Sequence, residues 1–463
     1  MSAALLWIGV PLGAAMVFWF LRRQKLLCIL AIGALNLLLA LLAWKLPIGG
    51  VINFLGLSIE LKAAWTILGR SFVFETGDHS FLMLVFGMGA FWYMGAGVAK
   101  VGRTFAPLGL AVIAFLVAAL AVQPFLYAAL FIEAAVLFTV PMLVPPGQQP
   151  GKGILRFVIF QTMAMPFIMF AGWIATIVEA NPTDQRLLLQ AVLFMALGFA
   201  FWLAVFPFYS WVPLLTGEVN PYVAGFVLNF FPTIVFLLSL DFLNRFAWLR
   251  EFSLLYVALR LIGAVMVVLG GIWVAFEREL ARMYGYAVIM ENGFSLLALS
   301  LHSRVGLEIF TTLFLGRLLS LVVWGLALTI LSGQRRVTLD DVEGLLYSKP
   351  VTAGAILAGC LSIAGLPLLA VFPMRLFLLE QLVIVAPVTV LWVFIGNIGL
   401  FVAGLRLVSS MACSAQGYQF DEQVIPAVFM ALGTLAIIIV CLLYTSDAAD
   451  DLLCVDLGGR RII

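Results

Sequence analysis

Five charged side chains interrupt runs that are otherwise apolar: Glu133 in "LYAALFIEAAVLF", Arg260 in "YVALRLIGA", Glu291 in "YAVIMENGF", Arg317 in "LFLGRLLSL" and Arg375 in "FPMRLF". Glu380 follows shortly after the last, and Asn229 and Asn397 add uncharged polarity in two further apolar runs. A charge at the middle of a membrane-spanning helix costs roughly 2.5 kcal/mol or more, so it faces a partner or a hydrated cavity. The chemistry open to this set is the handling of protons and charge. A carboxyl group can take up and release a proton, whereas a guanidinium keeps its charge and acts through its field. Each residue also has a purely structural alternative. Glu291 can bond a neighbouring backbone, Arg260 can snorkel or pair with an acid such as Glu291, and His79 and His302 at span ends read as interfacial groups.

The elements that position these residues follow from composition. Of 463 residues, 64% are hydrophobic and 10% charged, against about a quarter charged in a soluble domain. The chain is an all-α polytopic membrane protein. A net charge of +2 with scattered carriers excludes a nucleic-acid surface. Five cysteines without CxxC or Cys/His spacing give no metal or disulfide framework. With no Gly-rich nucleotide loop either, no cofactor and no redox centre is expected on this chain.

Spans of about 20 apolar residues can be laid along the chain about fourteen times. The N-terminal run is a first span and not a signal peptide, because Arg22, Arg23 and Lys25 follow it. Residues 51 to 75 alternate apolar and polar residues, as a surface β-hairpin does. Thirteen Lys and Arg, Lys100, Lys152 and Arg278 among them, fall in odd-numbered loops and eight in even-numbered ones, which puts both termini outside. The last stretch, "YTSDAADDLLCVDLGGRRII", turns abruptly acidic and then basic, and residues 444–463 read as a non-native tail.

Prolines mark where helices are expected to break. Pro232 lies inside the eighth span, and Gly365, Pro367 and Pro373 lie in the twelfth. Each proline frees a carbonyl that lipid cannot satisfy. Paired broken helices point to an ion path at the membrane midplane, while the plainer alternative is a kink in a packed helix.

The motifs "FPFYSWVP", "NPYVAGFV", "LARMYGYAVIMENGFSLLALSL" and "AGLPLLAVFPMRLF" together resemble the antiporter-like subunit family. That family comprises proton-pumping membrane subunits of respiratory complex I, of hydrogenase-4-type complexes and of Mrp cation/proton antiporters. The resemblance implies two inverted five-helix repeats, with broken helices in spans 8 and 12. It implies an N-terminal region at 1–104, repeats at 105–243 and 244–410, and a last span at 411–443. It also implies a Glu on the fifth span paired with a Lys on the seventh, and further basic residues on the eighth, eleventh and twelfth. Carried over, Glu133 takes the glutamate position and Arg317 and Arg375 the eleventh- and twelfth-span basic positions. Trp202 stands at the seventh-span lysine, Tyr209 at a histidine and Pro232 at the eighth-span lysine. Two proton-exchanging amines are therefore missing from the first half.

Three functions stay open on the resemblance. One is a proton-translocating subunit of a complex I-like or hydrogenase-type redox complex, with a degenerate first half-channel. The second is an Mrp-like cation/proton antiporter subunit, and the third a structural subunit that has lost conduction. The implied partners are other membrane subunits, the lipid bilayer and protons or Na+. The implied location is a bacterial or archaeal inner membrane.

Overall fold

A computed structural model of the chain describes residues 2 to 458, apart from 47, 49, 55–56, 68, 145–146, 148, 181–183, 302–303, 334 and 414–419. The side chains of 51–60, 76, 180, 304–305, 307 and of residues beyond Tyr444 also lie outside the description, as does His302. The chain divides into two compact units, Met1–Phe252 and Ser253–Ile463.

The first unit opens with α1 (Val10–Phe20) and α2 (Lys25–Lys45). Two antiparallel hairpins follow, β1 (Val51–Phe54) with β2 (Leu57–Glu60), and β3 (Ala64–Ile67) with β4 (Arg70–Val73). The alternation in this stretch thus folds as two hairpins in place of one. After α3 (His79–Ala96) and α4 (Phe105–Ala121), β5 (Val122–Gln123) pairs with β4 and ties the second hairpin to the end of α4. The rest is α5 (Ala128–Leu143), α6 (Lys152–Ala180), α7 (Gln185–Trp202), α8 (Trp211–Glu218), α9 (Pro221–Arg245) and α10 (Ala247–Arg250). α4 and α9 form the core of this unit, buried along nearly their whole length. Tyr222 and Trp92 lock α9 to α3 reciprocally: the Tyr222 hydroxyl donates to the Trp92 carbonyl at 2.6 Å, and the Trp92 indole N–H to the Tyr222 carbonyl at 3.2 Å.

The second unit comprises α11 (Ser253–Phe276), α12 (Leu280–Leu299), α13 (Arg304–Ser332), α14 (Leu345–Ser348), α15 (Pro350–Ala364), α16 (Phe372–Val385), α17 (Pro387–Ala412) and α18 (Val424–Gly458). α11 lies between α12 and α17, and small residues set the spacing. A Cβ on Gly271 would stand 2.0 Å from the Gly396 carbonyl oxygen of α17.

Among the described residues, ten helices are long and apolar enough to cross a membrane, or eleven if one bent pair counts as a span. This is fewer than the fourteen expected. Leu5–Phe20 and Phe105–Ala121 are apolar but short, and Arg282, Glu291 and Asn292 dilute the hydropathy of α12.

The helix interruptions also differ from expectation. α9 runs unbroken through Pro232, so this proline is not a break. Neighbouring side chains bond inside the same helix: Asn229 Nδ2 donates to the Gly225 carbonyl at 3.0 Å and Thr233 Oγ1 to the Asn229 carbonyl at 2.6 Å. With the surrounding turns so tied and the helix packed on all sides, the loss of one backbone bond is absorbed. The interruption of this region lies one element earlier, between α7 and α8, where Ala204 takes a left-handed φ of +54° ahead of Pro207. In the second unit the chain does leave the helix at Gly365, φ +77°, and resumes at Phe372. Pro367 lies in the interruption, and Pro373 sits in the first turn of α16, where a missing N–H costs nothing.

Candidate functional site: a buried charge cluster

α12 is buried at every residue from Ala287 to Leu299, so Glu291 is inside protein on all sides. A carboxylate there requires a partner. Arg375 supplies it: its Nη2 pairs with Glu291 Oε1, the two side chains being 3% and 2% exposed. The interruption at 365–371 is what makes this contact. It ends α15 and places Arg375 in the first turn of α16, where Nη1 donates to the Ile363 carbonyl, one of the orphan acceptors at the end of α15. A cation at a helix C-terminus also meets the negative end of the helix dipole. Nη1 lies 3.4 Å from Asn397 Oδ1 on α17, and the guanidinium sits 3.8 Å over the Phe294 ring. Gly365 serves this arrangement twice, by its positive φ and because its Cβ would crowd Arg375 Cδ at 3.1 Å.

Arg317 on α13 is the second buried guanidinium, 1% exposed, and interacts electrostatically with Glu291 and Tyr284. Tyr284 is fixed by donating to the Leu321 carbonyl at 3.1 Å. Ser320 Oγ and Ser362 Oγ, 2.7 Å apart, tie α13 to α15 just before its end. Among the described residues, Glu291 is thus the one acid in this cluster, with two guanidinium groups acting on it. Arg260, half-buried on α11, donates to the Ser300 carbonyl at 3.4 Å. It does not pair with Glu291, because it faces the end of α12 at Ser300 while Glu291 lies in the middle of that helix. Glu380 is exposed.

The first unit is poorer in charge. Glu133, half-buried on α5, accepts from Thr162 Oγ1 of α6 at 2.8 Å, and its Oε2 is buried without a hydrogen-bond partner among the described residues. Trp202 closes α7 with its side chain 1% exposed, edge-on to Phe199. Gln161, next to Thr162, donates Nε2 to the Trp202 carbonyl at 3.3 Å. Consecutive residues of α6 thus reach Glu133 and the end of α7, in directions about 100° apart. Tyr209 lies in the short turn before α8, its ring stacked with Phe206. Asn229 and Pro232 are buried in the middle of α9. His79, at the start of α3, lies 2.8 Å from the Ala43 carbonyl through Nδ1.

Sequence reasoning missed Thr162, Gln161 and the Ile363 carbonyl. Hydroxyl, amide and backbone groups carry no signal in an apolar run until a charged neighbour is seen beside them.

The NADH:quinone oxidoreductase/Mrp antiporter transmembrane family matches residues 157–401. NADH-quinone oxidoreductase subunit 14 of Thermus thermophilus is 27% identical over 370 residues, covering 75% of this chain and 80% of that protein. Among solved structures, a chain of the archaeal membrane-bound sulfane sulfur reductase complex superposes with a TM-score of 0.79 at 17% identity, covering 96% of this chain and 95% of that one. A chain of Thermus thermophilus respiratory complex I with bound NADH gives a TM-score of 0.77 at 20% identity, covering 94% and 95%. These likenesses share one fold, and the family match extends over more than half of the sequence. The chain belongs to the NADH:quinone oxidoreductase/Mrp antiporter transmembrane family.

Proposed function

We propose that this chain is a proton-translocating membrane subunit of a redox-driven complex of the complex I or hydrogenase type, with Glu291 as its working acid and a closed first half-channel. The observation that carries this reading is the buried Glu291–Arg375 pair at the helix interruption. Arginine does not release its proton under ordinary conditions, so a proton handled here resides on Glu291. The carboxylate is held by Arg375, and Arg317 interacts with it electrostatically. When Glu291 is protonated the attraction falls, and Arg375 retains Asn397 and the Ile363 carbonyl as alternative partners. The cluster can therefore change charge while its cation stays anchored to α15 and α17 through Nη1. Redox chemistry belongs to partner subunits, and the complex sits in a bacterial or archaeal inner membrane with both termini of this chain outside.

A second reading, a structural subunit without conduction, is favoured by Trp202. An indole fills the position where the family resemblance expects a lysine beside Glu133. Proton uptake by vesicles holding the assembled complex separates the two readings. The translocating reading expects Glu291→Gln to lower uptake per turnover, and the structural one expects no change. Running the assay with and without Na+ separates proton transport from the Mrp-like cation/proton alternative.

A further inference from the structure

The first unit contains a cavity of about 670 Å³ lined by residues of that unit. One side is formed by the buried Ala4 and Ile8 ahead of α1 and the half-buried Leu12 within it, and one wall by the edge-to-face contact of Phe72 on β4 with Phe131 on α5, 5.5 Å apart. The lining is apolar except at the rim. There Arg70 of the second hairpin lays its guanidinium on the Tyr127 ring at 3.8 Å, and no carboxylate among the described residues forms an ion pair with it. Trp65 and Leu130, both on the rim, are 37% and 40% exposed, so the cavity opens at the surface of the unit.

Each feature narrows the occupant. The volume is that of a small-molecule site. In a chain that spans a bilayer, an apolar cavity opening past an exposed leucine is filled from lipid. Trp, Tyr and Arg together mark headgroup depth. An arginine without an acid at the mouth of an apolar cavity offers a fork of donors to a phosphate.

We propose that this cavity holds an acyl chain of one anionic phospholipid whose phosphate rests on Arg70. The hairpin, tied to the end of α4 through β5, keeps Arg70 over the cavity whether or not lipid is present. The lipid bridges α1, the hairpin and α5, three elements that otherwise leave a void between them.

Native mass spectrometry of the full chain, purified and delipidated, tests this with phosphatidylglycerol and phosphatidylcholine of the same acyl chains. The wild type should retain one phosphatidylglycerol about tenfold more tightly than phosphatidylcholine, because both lipids bring a phosphate to Arg70 but the choline ammonium of the second cancels its charge and opposes the guanidinium. Arg70→Lys should keep that preference and Arg70→Gln should abolish it. Ala134→Phe, which puts a ring into the cavity, should weaken both lipids equally. Equal retention of the two lipids by the wild type, or a preference that survives Arg70→Gln, overturns the proposal. So does an Ala134→Phe variant that binds lipid normally but no longer assembles with other membrane subunits, since the cavity would then be a protein-docking site.

Discussion

Glu291 and Arg375, 84 residues apart in sequence, form a direct ion pair with both side chains almost wholly withdrawn from solvent. Removing one member of such a pair leaves a buried charge behind, which costs about 3–5 kcal/mol. Arg375→Met should therefore lower the thermal midpoint of the purified protein sharply, and Glu291→Leu/Arg375→Met together should recover most of the loss. A single variant as stable as wild type would show that the pair is solvated in the membrane.

The helix that carries the interruption is anchored at its other end by Glu422. Its carboxylate accepts from the backbone N–H groups of Val351 and Thr352, at 3.1 and 2.7 Å, and from Thr352 Oγ1 at 2.8 Å. Glu422→Ala leaves these donors at the start of α15 without that acceptor and should cost about 2 kcal/mol. Hydrogen exchange at the two amides should quicken in this variant and much less in Glu422→Gln.

Close helix approach gives a paired test. Gly271→Ala puts a methyl group 2.0 Å from the Gly396 carbonyl oxygen, while Gly354→Ala on α15 meets nothing within 4 Å. The first should destabilise by about 1–3 kcal/mol through overpacking, and the second should be neutral or stabilise by up to about 1 kcal/mol through helix propensity. Thermal midpoints that change alike would mean that α11 and α17 part easily.

At the membrane edge, burial pushes the Asp78 carboxyl up to about 6, and the nearby Glu75 adds to this, against the lowering effects of the Glu75 N–H it accepts from and of His79. Asp241 and Arg245 face the same region. Because the folded protein holds this proton more tightly than the unfolded chain, Asp78 lowers stability as pH rises from about 4 through about 6. Asp78→Asn keeps an acceptor for the Glu75 N–H, 2.6 Å away in the wild type. It should flatten that part of the Tm against pH profile and raise Tm at pH 7.5, and an unchanged profile would place the titration elsewhere.

Some of this was legible in sequence for one reason: charge in lipid is expensive, so Glu291, Arg317 and Arg375 stand out in apolar runs. Pairing was not legible. Arg260 was one candidate partner for Glu291, but the helix interruption that begins at Gly365 brings Arg375 to the carboxylate instead. Proline was an uneven guide. Pro232 sits in a continuous helix whose neighbouring side chains bond back to its own carbonyls, while the interruption before α8 depends on the backbone of Ala204, an ordinary residue in an extraordinary conformation. The two separate hairpins between α2 and α3 were visible only as alternation, because register depends on turns that periodicity does not locate.

The account rests on Glu291 carrying the proton while Glu133, held by Thr162 on the unit whose expected amine position is filled by Trp202, does not. The most direct measurement is the number of protons moved per turnover by the reconstituted complex, compared among wild type, Glu291→Gln, Glu133→Gln and Trp202→Lys. The account predicts a reduced ratio in Glu291→Gln, an unchanged ratio in Glu133→Gln and a raised ratio in Trp202→Lys, where a titratable amine returns to the first unit. A wild-type ratio in Glu291→Gln together with loss of pumping in Glu133→Gln would contradict it.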